Sequence, residues 1–176
     1  MPKTYNTIPT VSTGDVYTAT AHNNIVANVN NYRVAPACAA YHSAAQSIPN
    51  ATATAVLLNS EYYDTDDMHS TASLTSRITI ATAGIYQLTA NVLFDIGGTG
   101  MRDVAFYKNG ATTYRGSSTL NITASFFTSV NATTTMSLAA SDYIEVYVYH
   151  TQGTALNIRG DANGVHFTAT WLGQVS

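Results

Sequence analysis

The chain has 176 residues and a formal net charge of −3, and only 10% of its residues are charged, against about 25% in an average soluble domain. Its seven lysines and arginines are scattered and form no basic stripe for phosphates, so nucleic acid is not an expected partner. No apolar run approaches the roughly 20 residues of a membrane span, so no membrane partner is expected either. Residues that fit a pleated sheet (Thr, Val, Ile, Tyr) are abundant while Lys, Glu and Leu are scarce, which predicts an all-β protein.

The first predicted element is a helix within residues 1–35. Thr18 can cap its start, and its apolar positions are spaced by four, four and three residues. These positions are Ala21, Ile25, Val29 and Tyr32. A lone helix of about 15 residues is marginal in water, so this stripe must pack on another surface. We expect Pro36 to end the segment, and we interpret residues 1–35 as an attachment arm whose stripe is the anchor.

Residues 36–176 show short strand-like runs separated by turn residues, which is typical of a sandwich or barrel. Alternation of apolar and polar residues is clear in two of the runs, residues 78–80 and 85–92. The other predicted strands are residues 104–107, 119–130, 134–138, 143–150, 155–159 and 164–172. Turn chemistry separates them, as at Asn109-Gly110. We therefore predict one β domain after the arm.

The single cysteine, Cys38, excludes an intrachain disulfide, and its small neighbours predict a buried thiol. A chain of this length buries enough surface to need no covalent cross-link. The N-terminal residues lack the apolar stretch of a secretory signal, so we expect the chain to fold in the cytoplasm where it is synthesised, without a signal peptide.

The strand predicted at residues 143–150 carries two kinds of side chain on its two faces. The aliphatic face holds Ile144, Val146 and Val148 and belongs in the core. The opposite face carries Tyr143, Tyr147 and Tyr149, which are large enough to favour cover by a second protein surface, as in an oligomer. The alternative is that these tyrosines lie on a solvated sheet face.

Four local patterns of the β domain carry a resemblance to a known family. Residues 45–49, Ala-Gln-Ser-Ile-Pro, with residues 56–59 and 63–64 look like its first strands, and residues 104–110, Val-Ala-Phe-Tyr-Lys-Asn-Gly, resemble the strand and hairpin that follow its signature. Residues 78–88, Ile-Thr-Ile-Ala-Thr-Ala-Gly-Ile-Tyr-Gln-Leu, are similar to a Phe-x-x-Pro-x-x-Gly-x-Tyr-x-Phe signature. Residues 138–146, Leu-Ala-Ala-Ser-Asp-Tyr-Ile-Glu-Val, are similar to a Leu-x-x-Gly-Asp-x-Val step, with Ser141 where glycine is usual. With the closing strand at residues 167–173, these patterns resemble the globular head of complement component 1q, which shares the jelly roll of tumour necrosis factor, over about residues 37–173.

This resemblance implies an all-β jelly-roll sandwich in which the signature glycine makes a turn and the signature tyrosine fills the space between the sheets. It also implies a compact homotrimer packed around a three-fold axis. We therefore predict that Tyr143, Tyr147 and Tyr149 lie at the trimer interface.

Residues 14–23, Gly-Asp-Val-Tyr-Thr-Ala-Thr-Ala-His-Asn, carry a second resemblance. They are similar to the Gly-Asp-x-x-Thr-Ala-x-x-x-Asn opening of short head and tail structural proteins of bacteriophages. The resemblance implies a virion component whose arm packs on the virion or on neighbouring arms. We therefore expect a location on the virion surface after synthesis in the host cytoplasm, with capsid or tail proteins as partners.

No pattern in the sequence indicates catalysis. The five histidines are scattered, and no zinc, nucleophile-elbow or phosphate-binding motif occurs, so we expect no enzyme activity and no cofactor. Asp64, Asp66 and Asp67 are weak calcium candidates because carboxylates are dense around them, and a solvated acidic loop is the alternative.

The sequence therefore predicts a non-enzymatic, trimeric virion surface protein of a bacteriophage, either a capsid decoration or a head spike, anchored by its N-terminal arm. One alternative is a tail tip or fibre protein that binds a host surface receptor or glycan. A further alternative is a bacterial lectin-like adhesion domain.

Overall fold

The computed structural model describes residues 2–114, 120–122, 126–161 and 164–174. Its helix, α1, spans Ala19–Arg33. The strands of the first half are β1 (Ala37–Tyr41), β2 (Gln46–Ile48), β3 (Thr54–Ala55), β4 (Ser60–Asp64), β5 (Arg77–Thr79) and β6 (Gly84–Phe94). Those of the second half are β7 (Gly100–Lys108), β8 (Ala111–Tyr114), β9 (Leu120–Ile122), β10 (Thr128–Leu138), β11 (Tyr143–His150), β12 (Leu156–Ile158) and β13 (Val165–Gly173). The predicted all-β domain with one N-terminal helix is confirmed.

The strands form two antiparallel sheets. The seven-stranded sheet has the order β2-β12-β6-β13-β1-β4, with β10 also paired to β6. The six-stranded sheet has the order β3-β11-β7-β8, with β5 paired to β11 and β9 to β7. Since many neighbours in the sheets are far apart in the chain, the two layers depend on long-range pairing and not on local hairpins alone.

Strand alternation builds the core between the sheets. On β6 the inward side chains are Tyr86, Leu88, Ala90, Val92 and Phe94, all with 0% exposure. The aliphatic face of β11 points inward as well, and Ile144, Val146 and Val148 are at most 1% exposed. The Tyr86 hydroxyl donates to the Thr82 carbonyl oxygen over 2.6 Å, so the buried phenol has a partner. Burial raises the pKa of Tyr86, and the predicted role of this tyrosine as a filler of the sandwich is confirmed.

Two tight turns have the predicted chemistry. Asn109 and Gly110 both have positive φ, 53° and 78°, which suits the two-residue hairpin between β7 and β8. Ser141 also has a positive φ of 73°, which explains why glycine is usual at this position in the family that the chain resembles. At the same end, the Asp142 carboxylate accepts hydrogen bonds from Lys108 Nζ (2.7 Å) and Asn109 Nδ2 (2.8 Å).

The glycine of the signature, Gly84, is required by a close approach of the chain. A Cβ atom at this position would lie 2.0 Å from Nε1 of Trp171 and 2.6 Å from the Gly173 carbonyl oxygen. Gly84 is thus the first residue of β6 and not the predicted turn residue, and its lack of a side chain lets the closing strand pack directly against the start of β6.

The bounds of the strands predicted at residues 119–130 and 134–138 are wrong. Residues 128–138 form one continuous strand, β10, which pairs with β6 over its full length. The Thr-rich stretch inside β10 contains no proline or glycine to interrupt it, and pairing with the long β6 strand keeps it extended. Residues 119 and 123–125 of the first predicted strand lie outside the described residues.

The helix has the predicted start. Thr18 adopts an extended conformation and its side chain accepts from the Ala21 amide, so it is the N-cap. The helix ends at Arg33, before Pro36. In the part of the chain that the structure describes, no helix is both long and apolar enough to cross a membrane.

Candidate assembly and binding surfaces

A ladder of asparagines fastens the N-terminal arm to the helix. Asn24, Asn28 and Asn31 are spaced by four and three residues and lie on one side of α1. Their amides donate to the carbonyl oxygens of Thr7 (3.3 Å), Asn6 (2.8 Å) and Thr4 (2.6 Å), respectively. In the opposite direction, the backbone amide of Asn6 donates to Asn28 Oδ1 over 2.8 Å. The extended backbone of residues 4–7 thus finds its partners in side chains and not in a sheet.

An aromatic cluster joins the arm and the helix to the β domain. The Tyr5 ring is stacked on Trp171 with a centroid distance of 5.1 Å and an interplanar angle of 7°. Tyr32 lies 5.1 Å from Tyr5 and 5.5 Å from Trp171. The Lys3 amide donates to Thr82 Oγ1 over 2.6 Å. Residues 1–35, predicted as a separate arm, therefore contact the body at several points.

The four predicted anchor residues have different environments. Ala21 is buried and Ile25 is half-buried, whereas Val29 and Tyr32 are 51% and 56% exposed. The helix directs its asparagine side toward the arm, because the arm backbone needs hydrogen-bond donors, and this rotates part of the predicted stripe toward solvent. Ala21 is therefore used within the chain, whereas Val29 and Tyr32 stay accessible to another surface, and the role of the stripe as the anchor stays a prediction.

Sequence reasoning missed several exposed apolar residues next to that stripe. Val16 is 84% exposed, Tyr17 52% and Val26 42%. With Val29 they add exposed apolar side chains to the arm and to α1. The i, i+4, i+7 spacing of asparagines was the signal that would have fixed the helix orientation.

The tyrosine strand lies on the outer side of the six-stranded sheet. Tyr143, Tyr147 and Tyr149 alternate with buried residues, as predicted, but each is half-buried within its own chain. The Tyr147 ring is stacked on Tyr107 at a centroid distance of 3.9 Å, and burial raises its pKa. The Arg77 guanidinium lies 4.0 Å from the centre of the Tyr143 ring. These tyrosines therefore cover one another, and their place at a trimer interface stays a prediction.

Charges interrupt this tyrosine surface. Glu145, between Tyr143 and Tyr147, is 6% exposed and accepts from Ser76 Oγ over 2.6 Å. Its carboxylate lies 3.9 Å from the Arg77 guanidinium. Beyond Tyr149, a groove of about 270 Å³ is lined by Ala53, Met101, Asp103, Tyr107 and Tyr149.

The outer side of the other sheet carries no Asp, Glu, Lys or Arg on four adjacent strands. We call it the uncharged face. Its residues are Ala37, Ala39 and Tyr41 of β1; Ile85, Gln87, Thr89, Asn91 and Leu93 of β6; Ser129, Asn131, Thr133, Thr135 and Ser137 of β10; and His166, Thr168, Thr170 and Leu172 of β13. Burial lowers the pKa of His166, so this ring is neutral near pH 7.

Several polar side chains of the uncharged face already form hydrogen bonds within the chain, to another side chain or to a backbone carbonyl oxygen. Ser129 Oγ donates to Asn91 Oδ1 over 2.6 Å, and Asn91 Nδ2 donates to the Gly164 carbonyl oxygen over 3.4 Å. Thr168 Oγ1 donates to the Thr89 carbonyl oxygen over 3.4 Å. Because these groups have partners within the chain, a second surface could cover them at a small desolvation cost.

The calcium candidates serve the structure of their own loop. The Asp64 carboxylate accepts from the amides of Asp66 (3.1 Å) and His69 (2.8 Å). Asp66 is 1% exposed and accepts from Thr82 Oγ1 over 2.6 Å. Among the described residues, no group of three or more His, Cys, Asp or Glu is arranged to hold a metal ion, so Asp64, Asp66 and Asp67 are not brought together as a ligand set.

Two other polar side chains are buried for structural reasons. His150 has 0% exposure, and its Nε2 donates to the Ile48 carbonyl oxygen over 3.0 Å. Arg102, 1% exposed, donates to the carbonyl oxygens of Met101 (3.0 Å) and Gly98 (2.9 Å). The glycine-rich loop before β7 is therefore fastened by a buried guanidinium, which the sequence did not reveal. Cys38 is fully buried, as predicted, and burial raises its pKa.

No protein-family model matches this sequence, and no curated protein is significantly similar to it. Solved structures do match its fold. Murine APRIL at pH 5.0 has a TM-score of 0.58 at 16% identity over 78% of this chain and 98% of APRIL. The globular domain of the zebrafish complement 1qA protein has a TM-score of 0.58 at 12% identity, covering 80% of this chain and all of that domain. The Eiger TNF of S. frugiperda has a TM-score of 0.54 at 12% identity, covering 81% and 96%. The chain therefore has the jelly-roll fold of the tumour-necrosis-factor and complement 1q domains.

Proposed function

We propose that this jelly-roll chain is a non-enzymatic, homotrimeric surface protein of a bacteriophage particle, a capsid decoration or head spike, tethered by its arm and helix. The observation that carries the proposal is the concentration of exposed apolar side chains outside the β domain. Of the 16 large hydrophobic residues that are exposed in the described part of the chain, eight fall within residues 8–34. Such a concentration of exposed apolar side chains is typical of a contact with another protein.

The arm and the helix supply the tether in this proposal. Val16, Tyr17, Val26 and Val29 form its apolar surface, whereas the asparagine ladder and the aromatic cluster hold that surface in one orientation on the body. Pre-ordering of a contact surface lowers the entropy cost of binding. The resemblance of residues 14–23 to phage structural proteins supports a capsid or tail protein as the partner.

The uncharged face supplies the contact between copies. Charged residues are depleted at the cores of protein interfaces, because an unpaired charge loses its hydration there. The uncharged face meets this condition over four strands, whereas the tyrosine surface contains Asp103, Glu145 and Arg77. The homotrimer implied by the family resemblance would therefore pack through the seven-stranded sheet.

Light scattering at micromolar concentration tests the trimer. The wild-type protein should have three times the 18.7 kDa mass of the chain. Thr133→Lys introduces a charge at an exposed position of the uncharged face and should give monomers. Thr79→Lys, at an exposed strand position of the other sheet, is the matched control and should leave the trimer intact. Monomeric wild-type protein would contradict the proposed assembly.

The tyrosine prediction is tested in the same experiment. If Thr133→Lys stays trimeric and Tyr147→Lys becomes monomeric, the interface is the tyrosine surface and the uncharged face is excluded. If neither substitution alters the mass of a trimeric wild type, both assignments are wrong.

Co-sedimentation with phage particles that lack the protein tests the tether. The double variant Val26→Asp/Val29→Asp should remain folded and trimeric but should no longer pellet with particles. Asn23→Asp/Asn30→Asp adds the same charge at exposed polar positions of α1 and should bind as the wild type does. Equal binding by both double variants would show that the helix is not the tether.

A further inference from the structure

We propose that the groove beside Tyr149, on the outer side of the six-stranded sheet, binds a neutral saccharide. The described residues that line it are Ala53, Met101, Asp103, Tyr107 and Tyr149. This inference goes beyond particle attachment and does not depend on it. It requires only that this side of the sheet is free in the assembled protein.

The shape of the groove follows from strand alternation and register. Met101, Asp103 and Tyr107 are outward residues of β7, and Ala105, between the last two, is the smallest outward side chain in the strand. Tyr149 of β11 lies directly opposite Asp103. The groove lies between these larger side chains and the small Ala53, and Ala105, which is 7% exposed, does not line it. Its volume of about 270 Å³ is below the roughly 300–1,000 Å³ of pockets for drug-sized ligands, so it suits a mono- or disaccharide.

Three polar groups line the groove, namely the Asp103 carboxylate and the hydroxyls of Tyr107 and Tyr149. Among the described residues, none donates a hydrogen bond to the Asp103 carboxylate, and the hydroxyls of Tyr107 and Tyr149 have no partner either. A carboxylate accepts strong hydrogen bonds, and a phenol can both donate and accept. Sugar hydroxyls match both groups, while the apolar C–H side of a pyranose can pack on an aromatic ring. The carboxylate disfavours anionic ligands.

The aromatic geometry favours a sugar over a cation. One side of the Tyr107 ring is taken by Tyr147, since the two rings are stacked at 3.9 Å and 21°. A quaternary ammonium is bound by several ring faces that surround it, and this groove cannot supply them. A pyranose needs one ring and several hydrogen-bonding groups, which Tyr149, Tyr107 and Asp103 provide.

Saturation-transfer NMR on the full-length protein tests the proposal. The probes are the methyl glycosides of glucose and galactose, N-acetylglucosamine, and their β-1,4-linked disaccharides, at millimolar concentration. At least one should bind saturably. Asp103→Asn should weaken that binding about 10- to 100-fold, the range expected for loss of a charge-assisted hydrogen bond. Tyr149→Ala should abolish it, while Tyr149→Phe, which keeps the ring, should retain part of it.

The control is Tyr63→Ala, which removes a tyrosine that is 47% exposed on β4, and its affinity should equal that of the wild type. A variant counts only if its melting temperature shows that it is folded. The proposal is overturned if no probe binds saturably or if Asp103→Asn and Tyr149→Ala bind like the wild type. Binding of choline in preference to every sugar would overturn it in favour of a cation site.

Discussion

Replacing Tyr5 with alanine tests how the N-terminal arm is held on the β domain. The Tyr5 ring makes two aromatic contacts, with Trp171 and Tyr32, both at 5.1 Å. Each such pair contributes about 0.5–1.5 kcal/mol beyond its buried area. Because the ring is only half-buried, the lost burial adds about 1 kcal/mol, half of what a fully buried side chain provides. We therefore expect arm docking to weaken by about 2–4 kcal/mol.

Native-state hydrogen exchange at the Asn6 amide measures this loss. That amide donates to Asn28 Oδ1, so it is protected only while the arm lies along the helix. Every 1.4 kcal/mol corresponds to a factor of ten, so exchange in Tyr5→Ala should be about 30- to 700-fold faster. The amides of β6 should exchange at the wild-type rate, because the arm can open without unfolding the sandwich.

Tyr62→Ala is the control for this experiment. Tyr62 is 52% exposed and contacts Tyr41 at 4.7 Å, far from the arm in the chain. Its replacement should leave exchange at Asn6 unchanged. If exchange at Asn6 is equally slow in Tyr5→Ala, the aromatic cluster does not hold the arm, and the asparagine ladder alone would have to.

Ser141→Gly should stabilise the fold by about 0.5–1 kcal/mol, because glycine adopts the positive φ at this position without strain. A melting temperature equal to or below that of the wild type would contradict this. Despite partial burial, hydrogen bonds led by that from Lys108 hold the pKa of Asp142 below its usual range. A carboxylate whose pKa is depressed by folding stabilises the fold above its unfolded pKa of about 3.9, and this stabilisation is lost as the pH falls through its folded pKa. The melting temperature of Asp142→Asn should therefore approach that of the wild type on acidification below about pH 4. A difference in melting temperature that stays constant with pH would refute the linkage. Gly84→Ala places a Cβ atom against Trp171 and should lower the free energy of unfolding by about 1–3 kcal/mol or more. Denaturant unfolding would detect this loss. An unchanged free energy of unfolding would mean that the Trp171 side chain can move aside.

Much of the fold was predictable because local patterns and global structure agree. The alternation of residues 85–92 identified the strand that became the centre of the seven-stranded sheet. The Thr18 cap and the turn at Asn109-Gly110 were readable, because each depends on the chemistry of one or two side chains. Where no local signal exists, as in the continuous strand β10, the prediction failed, since pairing with β6 decided its length.

The candidate surfaces were less predictable. The apolar stripe of the helix indicated a packed face, but the structure turns Asn28 toward the arm and leaves Val29 exposed, because the arm backbone had to be hydrogen-bonded. The tyrosines of β11 were placed on the outer side correctly. Their contacts with Tyr107 and Arg77 could not be predicted from the sequence, since those partners lie on other strands.

By itself, the sequence determined the all-β class, the helix with its cap, the buried thiol of Cys38, and the side of β11 that faces the core. These follow from periodicity and composition, which act over a few residues. Only the tertiary structure decided that four strands share one uncharged face, that Asp103 and Tyr149 flank one groove, and that Tyr5 stacks on Trp171. These arrangements join residues far apart in the chain, and strand order and register, which long-range packing fixes, determine which of them meet.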